Sequence, residues 1–100
     1  MSTLDRDIRE YLDATITQLF ENPERWETLA KGQLKNLDIE PTLDSVLALF
    51  WGMTYGQIRN KIWERYGAIT LEQIQEIVDV AVPRWPELKE FYISRRIFKI

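Results

Sequence analysis

Acid–base chemistry in this chain can rest only on carboxylates, tyrosines, lysines and arginines, because the sequence contains no histidine and no cysteine. These absences exclude a Ser-His-Asp triad, a Cys-His pair, an imidazole zinc ligand and a disulfide. Pairs of carboxylates do catalyse reactions, but only where burial or close approach separates their pKa values. No pattern indicates such a site, so we expect no catalytic residue, no metal and no cofactor. An enzyme built on carboxylates and tyrosine is our third choice of function.

Recognition is the other chemistry open to these residues, and "GMTYGQIRNKIWERYGAITLEQIQEI" is the stretch best suited to it. Thr54 with Gln57, and Thr70 with Gln73, match the capping box that begins a helix. Gly67 stands where a left-handed residue ends a helix. The stretch therefore has two helix starts with one stop between them.

These signals predict three helices, at about residues 43–51, 55–66 and 71–82. Together they make a trihelical unit at about 43–82 that resembles a helix-turn-helix in outline. A DNA-binding transcriptional regulator that uses residues 54–82 is therefore the alternative function.

The charge of the third of these helices argues against DNA. Wound as a helix, it should turn Glu72, Glu76 and Asp79 outward. The positions expected to be buried are Leu71, Ile74, Ile77, Val78, Ala81 and Val82. Carboxylates near phosphate oppose the counterion release that drives nucleic-acid binding. If this face binds anything, a basic protein surface is favoured over a phosphate backbone, and nucleic acid is disfavoured. The alternative is a compact trihelical core whose acidic face is only solvated.

The C-terminal segment "PELKEFYISRRIFKI", residues 86–100, is the second candidate surface. Its acidic residues come early and its basic residues late, which favours a helix, although its β-forming residues leave an extended tail as the alternative. A helix would carry two opposite apolar stripes, of which one packs on the domain and the other needs a partner. The rival interpretations are a cleft that buries both stripes, and a strand added to a partner or exchanged between two copies.

The candidate partner-binding residues lie in these two segments. They are Phe91, Ile93, Arg95, Arg96, Ile97, Phe98, Ile100, Glu72, Glu76 and Asp79. We predict a small helical protein–protein interaction module with no catalytic activity of its own, acting as a homodimer, adaptor, inhibitor or assembly factor. Its partner is another protein or a second copy of itself.

Earlier elements must position these segments. "TLDRDIREYLDATITQLF" has one apolar stripe and a cap at Ser2 or Thr3. A short helix should run from Pro23 to Gly32 and be followed by a connector. The helix at 43–51 is apolar on nearly all sides, which is typical of a central, buried helix.

Aromatic residues and prolines complete the pattern. A core cluster is expected around the central helix, with a pocket for a flat ligand as its alternative. Its members are Phe50, Trp51, Tyr55, Trp63 and Tyr66. Pro83 and Pro86 predict a stiff corner, with Pro86 at the first position of the last helix.

The whole sequence predicts an all-α fold, a compact single-domain bundle of about five to six short helices. One hundred residues with 45% hydrophobic content can form one core and not two. The N-terminal residues are charged where a signal peptide would be apolar. The longest apolar run, Val46 to Met53, is far shorter than the roughly 20 residues that span a bilayer. We therefore expect a cytoplasmic protein with no membrane contact.

Overall fold

A computed structural model describes residues 4–95, and every regular element in this part of the chain is an α-helix. The helices are α1 (Arg6–Glu21), α2 (Pro23–Asn36), α3 (Leu43–Tyr66), α4 (Leu71–Ala81) and α5 (Arg84–Ser94). The all-α prediction is confirmed. The helix count falls at the low end of the expected range because two predicted helices are one.

α3 runs without interruption where we predicted a break. Thr54, the expected cap of a second helix, is buried in the middle of α3. The helix continues because its buried side chains form a single stripe. One continuous helix packs this whole stripe against the core, whereas a break at Thr54 would turn its two halves in different directions. This stripe consists of Val46, Leu47, Phe50, Thr54, Ile58 and Ile62. The prediction of a trihelical unit is therefore wrong, and the stretch forms two helices, α3 and α4, joined by a turn.

The turn between α3 and α4 is as predicted. Gly67 adopts the left-handed conformation, with φ of 69°, and its N–H donates to the Trp63 carbonyl. The Thr70 hydroxyl accepts from the Gln73 N–H at 3.1 Å, and the Gln73 side-chain oxygen accepts from the Thr70 N–H at 2.9 Å. This reciprocal capping box starts α4, so the predicted order of helix, turn and helix is confirmed for α3 and α4.

α2 is longer than predicted, because it passes Gly32 and ends only at Asn36. Ala30 and Leu34 lie one turn apart and both are buried, so the core face continues beyond the glycine. In the connector that follows, Asp38 has a positive φ of 58°.

The remaining helix ends also differ slightly from the predictions. Asp5 is the N-cap of α1, whereas the predicted caps lie outside the described residues. The Pro83 and Pro86 corner is confirmed, but α5 begins at Arg84, and Pro86 is therefore its third residue. The C-terminal segment is helical as far as Ser94.

Two core clusters adjoin each other along α1 and α3, and α1 contacts all four other helices. The first contains Leu19, Ala30, Leu34, Leu43, Val46, Leu47, Phe50, Leu88 and Tyr92. The second contains Leu4, Ile8, Leu12, Ile16, Ile58, Ile62, Ile77 and Ala81. Tyr92 is completely buried, and its hydroxyl donates to the Leu19 carbonyl at 3.0 Å. Burial raises the pKa of this hydroxyl, so it remains a donor at neutral pH.

Within residues 4–95, no helix combines the length and the apolar content that crossing a bilayer requires.

Candidate functional site

The structure brings four chemically active side chains together where α1 begins and α3 ends. Arg65 donates to both oxygens of Asp7, at 2.8 and 2.6 Å, and to Asp5 at 2.8 Å. The Tyr66 hydroxyl also donates to Asp5. The hydrogen bonds from Arg65 lower the pKa of Asp7 to about 2. Those from Tyr66 and then Arg65 lower the pKa of Asp5, and the bond to Asp5 raises the pKa of Tyr66.

These pKa shifts have the wrong direction for acid–base catalysis. A general base or acid works best when its pKa lies near the operating pH. Lowering the pKa of Asp5 and Asp7 makes them weaker bases, and raising that of Tyr66 makes it a weaker acid. These hydrogen bonds connect the start of α1 to the end of α3.

Glu76 does not face outward as predicted, since its side chain is only 14% exposed. One carboxylate oxygen accepts from the Leu4 N–H at 2.6 Å, and the other contacts Arg9 at 3.0 Å. Leu4 is buried, so its N–H needs a partner inside the protein. No sequence signal links these residues, because Leu4 and Glu76 are far apart in the chain.

This contact accompanies a rotation of α4 away from the predicted orientation. The buried residues are Gln73, Ile77 and Ala81. Leu71 and Val82, which we expected to be buried, are 80% and 58% exposed. The orientation of α4 is fixed by two sets of contacts. Gln73 is part of the Thr70 capping box, and Glu76 is bonded to Leu4 and Arg9, so Leu71 and Val82 lie on the outer side of the helix.

The rotation leaves an apolar stripe on the outer side of α4. Leu71, Val78 and Val82 recur at helical spacing, and Val78 is partly buried without belonging to either core cluster. Glu72 and Asp79 are exposed beside this stripe, as predicted, and Asp79 accepts from the Gln75 side chain at 2.9 Å. The exposed surface of α4 is therefore apolar along one side and acidic along the other.

Val82 also lines a groove between α3 and the corner that joins α4 to α5. One part of it, of about 360 Å³, is lined by Trp51, Ala81, Val82, Trp85 and Pro86. A second part, of about 440 Å³, is lined by Asp44, Leu47, Ala48, Trp51, Trp85, Pro86 and Lys89. Both parts share the two tryptophans and Pro86, so we treat them as one groove, called the tryptophan groove below.

The two indole rings are fixed in position by their neighbours. Trp85 donates its ring N–H to the Leu47 carbonyl at 3.1 Å. Its ring meets that of Trp51 edge to face, with 5.6 Å between the centroids, and Trp51 contacts Tyr55 at 5.7 Å. The groove is thus shaped before any ligand arrives, which reduces the entropic cost of binding.

A larger hollow on the surface, of about 610 Å³, lies between α2 and the connector. Its lining residues are Lys31, Gly32, Lys35, Asp38, Ile39, Glu40 and Pro41. Two lysines of α2 and two acidic residues of the connector line this hollow, so it favours neither an apolar ligand nor a ligand of one charge sign. The tryptophan groove is the better candidate because its lining is apolar except for Asp44 and Lys89, which pair at 3.0 Å.

The predicted site residues of α5 have different environments. Phe91 is partly buried against Phe20, at 5.2 Å between ring centroids, so it belongs to the core edge. Arg95 lies over the Phe91 ring at 5.0 Å, and Ile93 is 47% exposed. The predicted partner residues Arg96, Ile97, Phe98 and Ile100 lie outside the described residues.

The predicted aromatic cluster is divided along α3. Phe50 is buried, whereas Trp51 and Tyr55 are partly buried beside the groove. Trp63 and Tyr66 are about half exposed at the other end of the helix, so the prediction of one core cluster is wrong for them. The sequence analysis did not predict that Trp85 lines a binding groove. Its position between Pro83 and Pro86, at a stiff corner of the chain, could have indicated this.

No protein family matches the chain, and neither the curated proteins nor the solved structures contain a match to it.

Proposed function

We propose that this chain is a small protein–protein interaction module with no catalytic activity of its own, which binds its partner through the tryptophan groove and the outer side of α4. The proposal depends above all on one observation: two fixed indole rings line an apolar groove beside the exposed Val82. Contiguous apolar surface of this kind commonly marks an interface, and tryptophan is enriched among residues that dominate binding energy.

A homodimer, an adaptor, an inhibitor and an assembly factor all remain compatible with such a groove. The acidic and tyrosine residues that meet at the start of α1 favour these functions over an enzyme. Their hydrogen bonds stabilise the charged carboxylates and the neutral phenol, as the directions of the pKa shifts indicate. Such groups are suited to an ion pair that links two helices.

DNA binding remains the alternative, and the succession of α3, a tight turn and α4 is the observation in its favour. Two features weigh against it. The exposed face of α4 carries Glu72 and Asp79, and Arg65, a cation near the end of α3, is engaged by Asp5 and Asp7. Binding to duplex DNA that weakens steeply with added salt would favour this alternative.

The proposed function is tested by capture from the native cell with three tagged forms of the chain. They are the unchanged chain, Val82→Gln and the matched control Leu37→Gln. Both residues follow the last residue of a helix, and both are mostly exposed, at 58% and 63%, but only Val82 lines the groove.

We expect a partner retained by the unchanged chain and by Leu37→Gln to be lost by Val82→Gln. Removing one buried valine contact should weaken binding about tenfold, from the roughly 1.5 kcal/mol that its burial contributes. Identical captured proteins in all three forms, or no captured protein in any, would overturn the proposal.

A further inference from the structure

We infer that the occupant of the tryptophan groove is a cationic amphipathic segment of another protein. Apolar side chains of this segment would enter the groove, and its lysines and arginines would lie over the acidic side of α4. The inference rests on the proposed function, because it specifies the chemistry of the partner that binds at the same surface.

The lining of the groove limits what a ligand can use for recognition. The Trp85 ring N–H is already bonded to the Leu47 carbonyl, so this indole offers its π-face and no donor. Aromatic faces attract apolar groups and cations, whereas their negative quadrupole disfavours anions. The groove therefore suits aliphatic or aromatic anchors accompanied by a positive charge.

The charges around the groove have one predominant sign. Glu72 and Asp79 are the exposed charged residues of α4, whereas Glu76 is paired with Arg9, and α3 carries only Asp44 before Arg59. Lys89 is the one cation among the groove-lining residues that the structure describes, and it is ion-paired with Asp44. A ligand with basic flanks is thus complementary to the surface, and one with acidic flanks is repelled.

The same charges disfavour a second copy of this chain as the occupant. A two-fold dimer places the same patch of each copy against the other. Each copy would bring Glu72 and Asp79 into this interface, so the two patches would add charges of the same sign. Another protein with basic residues avoids this repulsion.

The test uses a displayed library of random 16-residue peptides, selected on the full-length chain at low salt. The affinities of the enriched peptides are then measured against the unchanged chain, Val82→Gln and Leu37→Gln. Val82→Gln is uncharged, so it identifies peptides bound in the groove without favouring peptides of either charge. Circular dichroism is used to check that each variant keeps the helical content and the melting temperature of the unchanged chain.

We expect the peptides that lose about tenfold affinity on Val82→Gln to carry apolar residues and net positive charge. These peptides should lose roughly tenfold in affinity on the double change Glu72→Lys with Asp79→Lys, because two exposed ion pairs with the peptide are lost. Their affinity should also fall as salt is raised.

Other outcomes separate the inference from the proposed function. Groove-bound peptides that are neutral or acidic would overturn the inference and leave the groove as an interaction site. Sedimentation of the unchanged chain as a dimer that Val82→Gln dissociates would make a second copy the occupant, which also overturns it. Enriched peptides that bind Val82→Gln and Leu37→Gln equally would overturn both.

Discussion

Asp5, Asp7, Arg65 and Tyr66 form a network of exposed hydrogen bonds and ion pairs between the start of α1 and the end of α3. The sequence could not predict this network, because Asp5 and Asp7 are far from Arg65 and Tyr66 in the chain and meet them only in the folded structure. The same is true of Glu76, whose contacts with Leu4 and Arg9 depend on tertiary structure. Helical periodicity assigns a residue to a face and does not identify a distant ion-pair partner.

This network predicts a specific pH dependence of stability. Hydrogen bonds from Arg65 lower the pKa of Asp7 from 3.8 to about 2 in the folded chain. A lowered folded pKa means that the ionised form stabilises the fold above about pH 4, and that this contribution is lost as the pH falls toward 2. Asp7→Asn should therefore flatten the decline in melting temperature between about pH 4 and pH 2.

Arg65→Gln removes the other partner and should flatten the decline in the same pH range. Thermal melts monitored by circular dichroism at several pH values measure both effects. Curves for Asp7→Asn that run parallel to those of the unchanged chain across this range would show that the ion pair does not form in solution.

At the level of the helices, sequence reasoning found the ends that depend on local residues and missed those set by packing. Gly67 and the Thr70 capping box were predicted correctly because their hydrogen bonds are made within a few residues. The break at Thr54 was predicted from the same kind of motif and is wrong, because the buried stripe of α3 passes through it. α4 is rotated for a related reason, since contacts with α1 determine which side is buried.

Two glycines with different helical positions give a test of the helix boundaries. Gly67 ends α3 with a positive φ of 69°, whereas Gly32 lies inside α2 with nothing near its Cβ position. Gly67→Ala should lower the free energy of unfolding by about 1 kcal/mol, because a left-handed conformation is unfavourable for alanine. Gly32→Ala should raise it by about 0.5 to 1 kcal/mol, because alanine favours a helix.

Urea unfolding followed by circular dichroism measures both changes against the unchanged chain. If α2 ended at Gly32, as the sequence had suggested, alanine there would destabilise the chain as it does at Gly67. A loss of stability in both variants would therefore contradict the observed course of α2.

For the whole molecule, the all-α class could be predicted from hydrophobic periodicity and helix ends, whereas the tryptophan groove could not. Trp51 and Trp85 belong to different helices and meet only when α5 folds back against α3. The sequence predicted that Val82 is buried, whereas the observed orientation of α4 leaves it exposed. The acidic character of α4 was predicted for Glu72 and Asp79, and it is the feature that connects the sequence to the proposed partner.

Site-specific photo-crosslinking in the native cell tests most directly whether the tryptophan groove is the interaction surface. A photoreactive amino acid is placed at position 82 in one form of the chain and at the similarly exposed position 37 in another. The account predicts a covalent adduct with a partner protein from position 82 and none of that adduct from position 37. The same adduct from both positions, or no adduct from position 82, would contradict it.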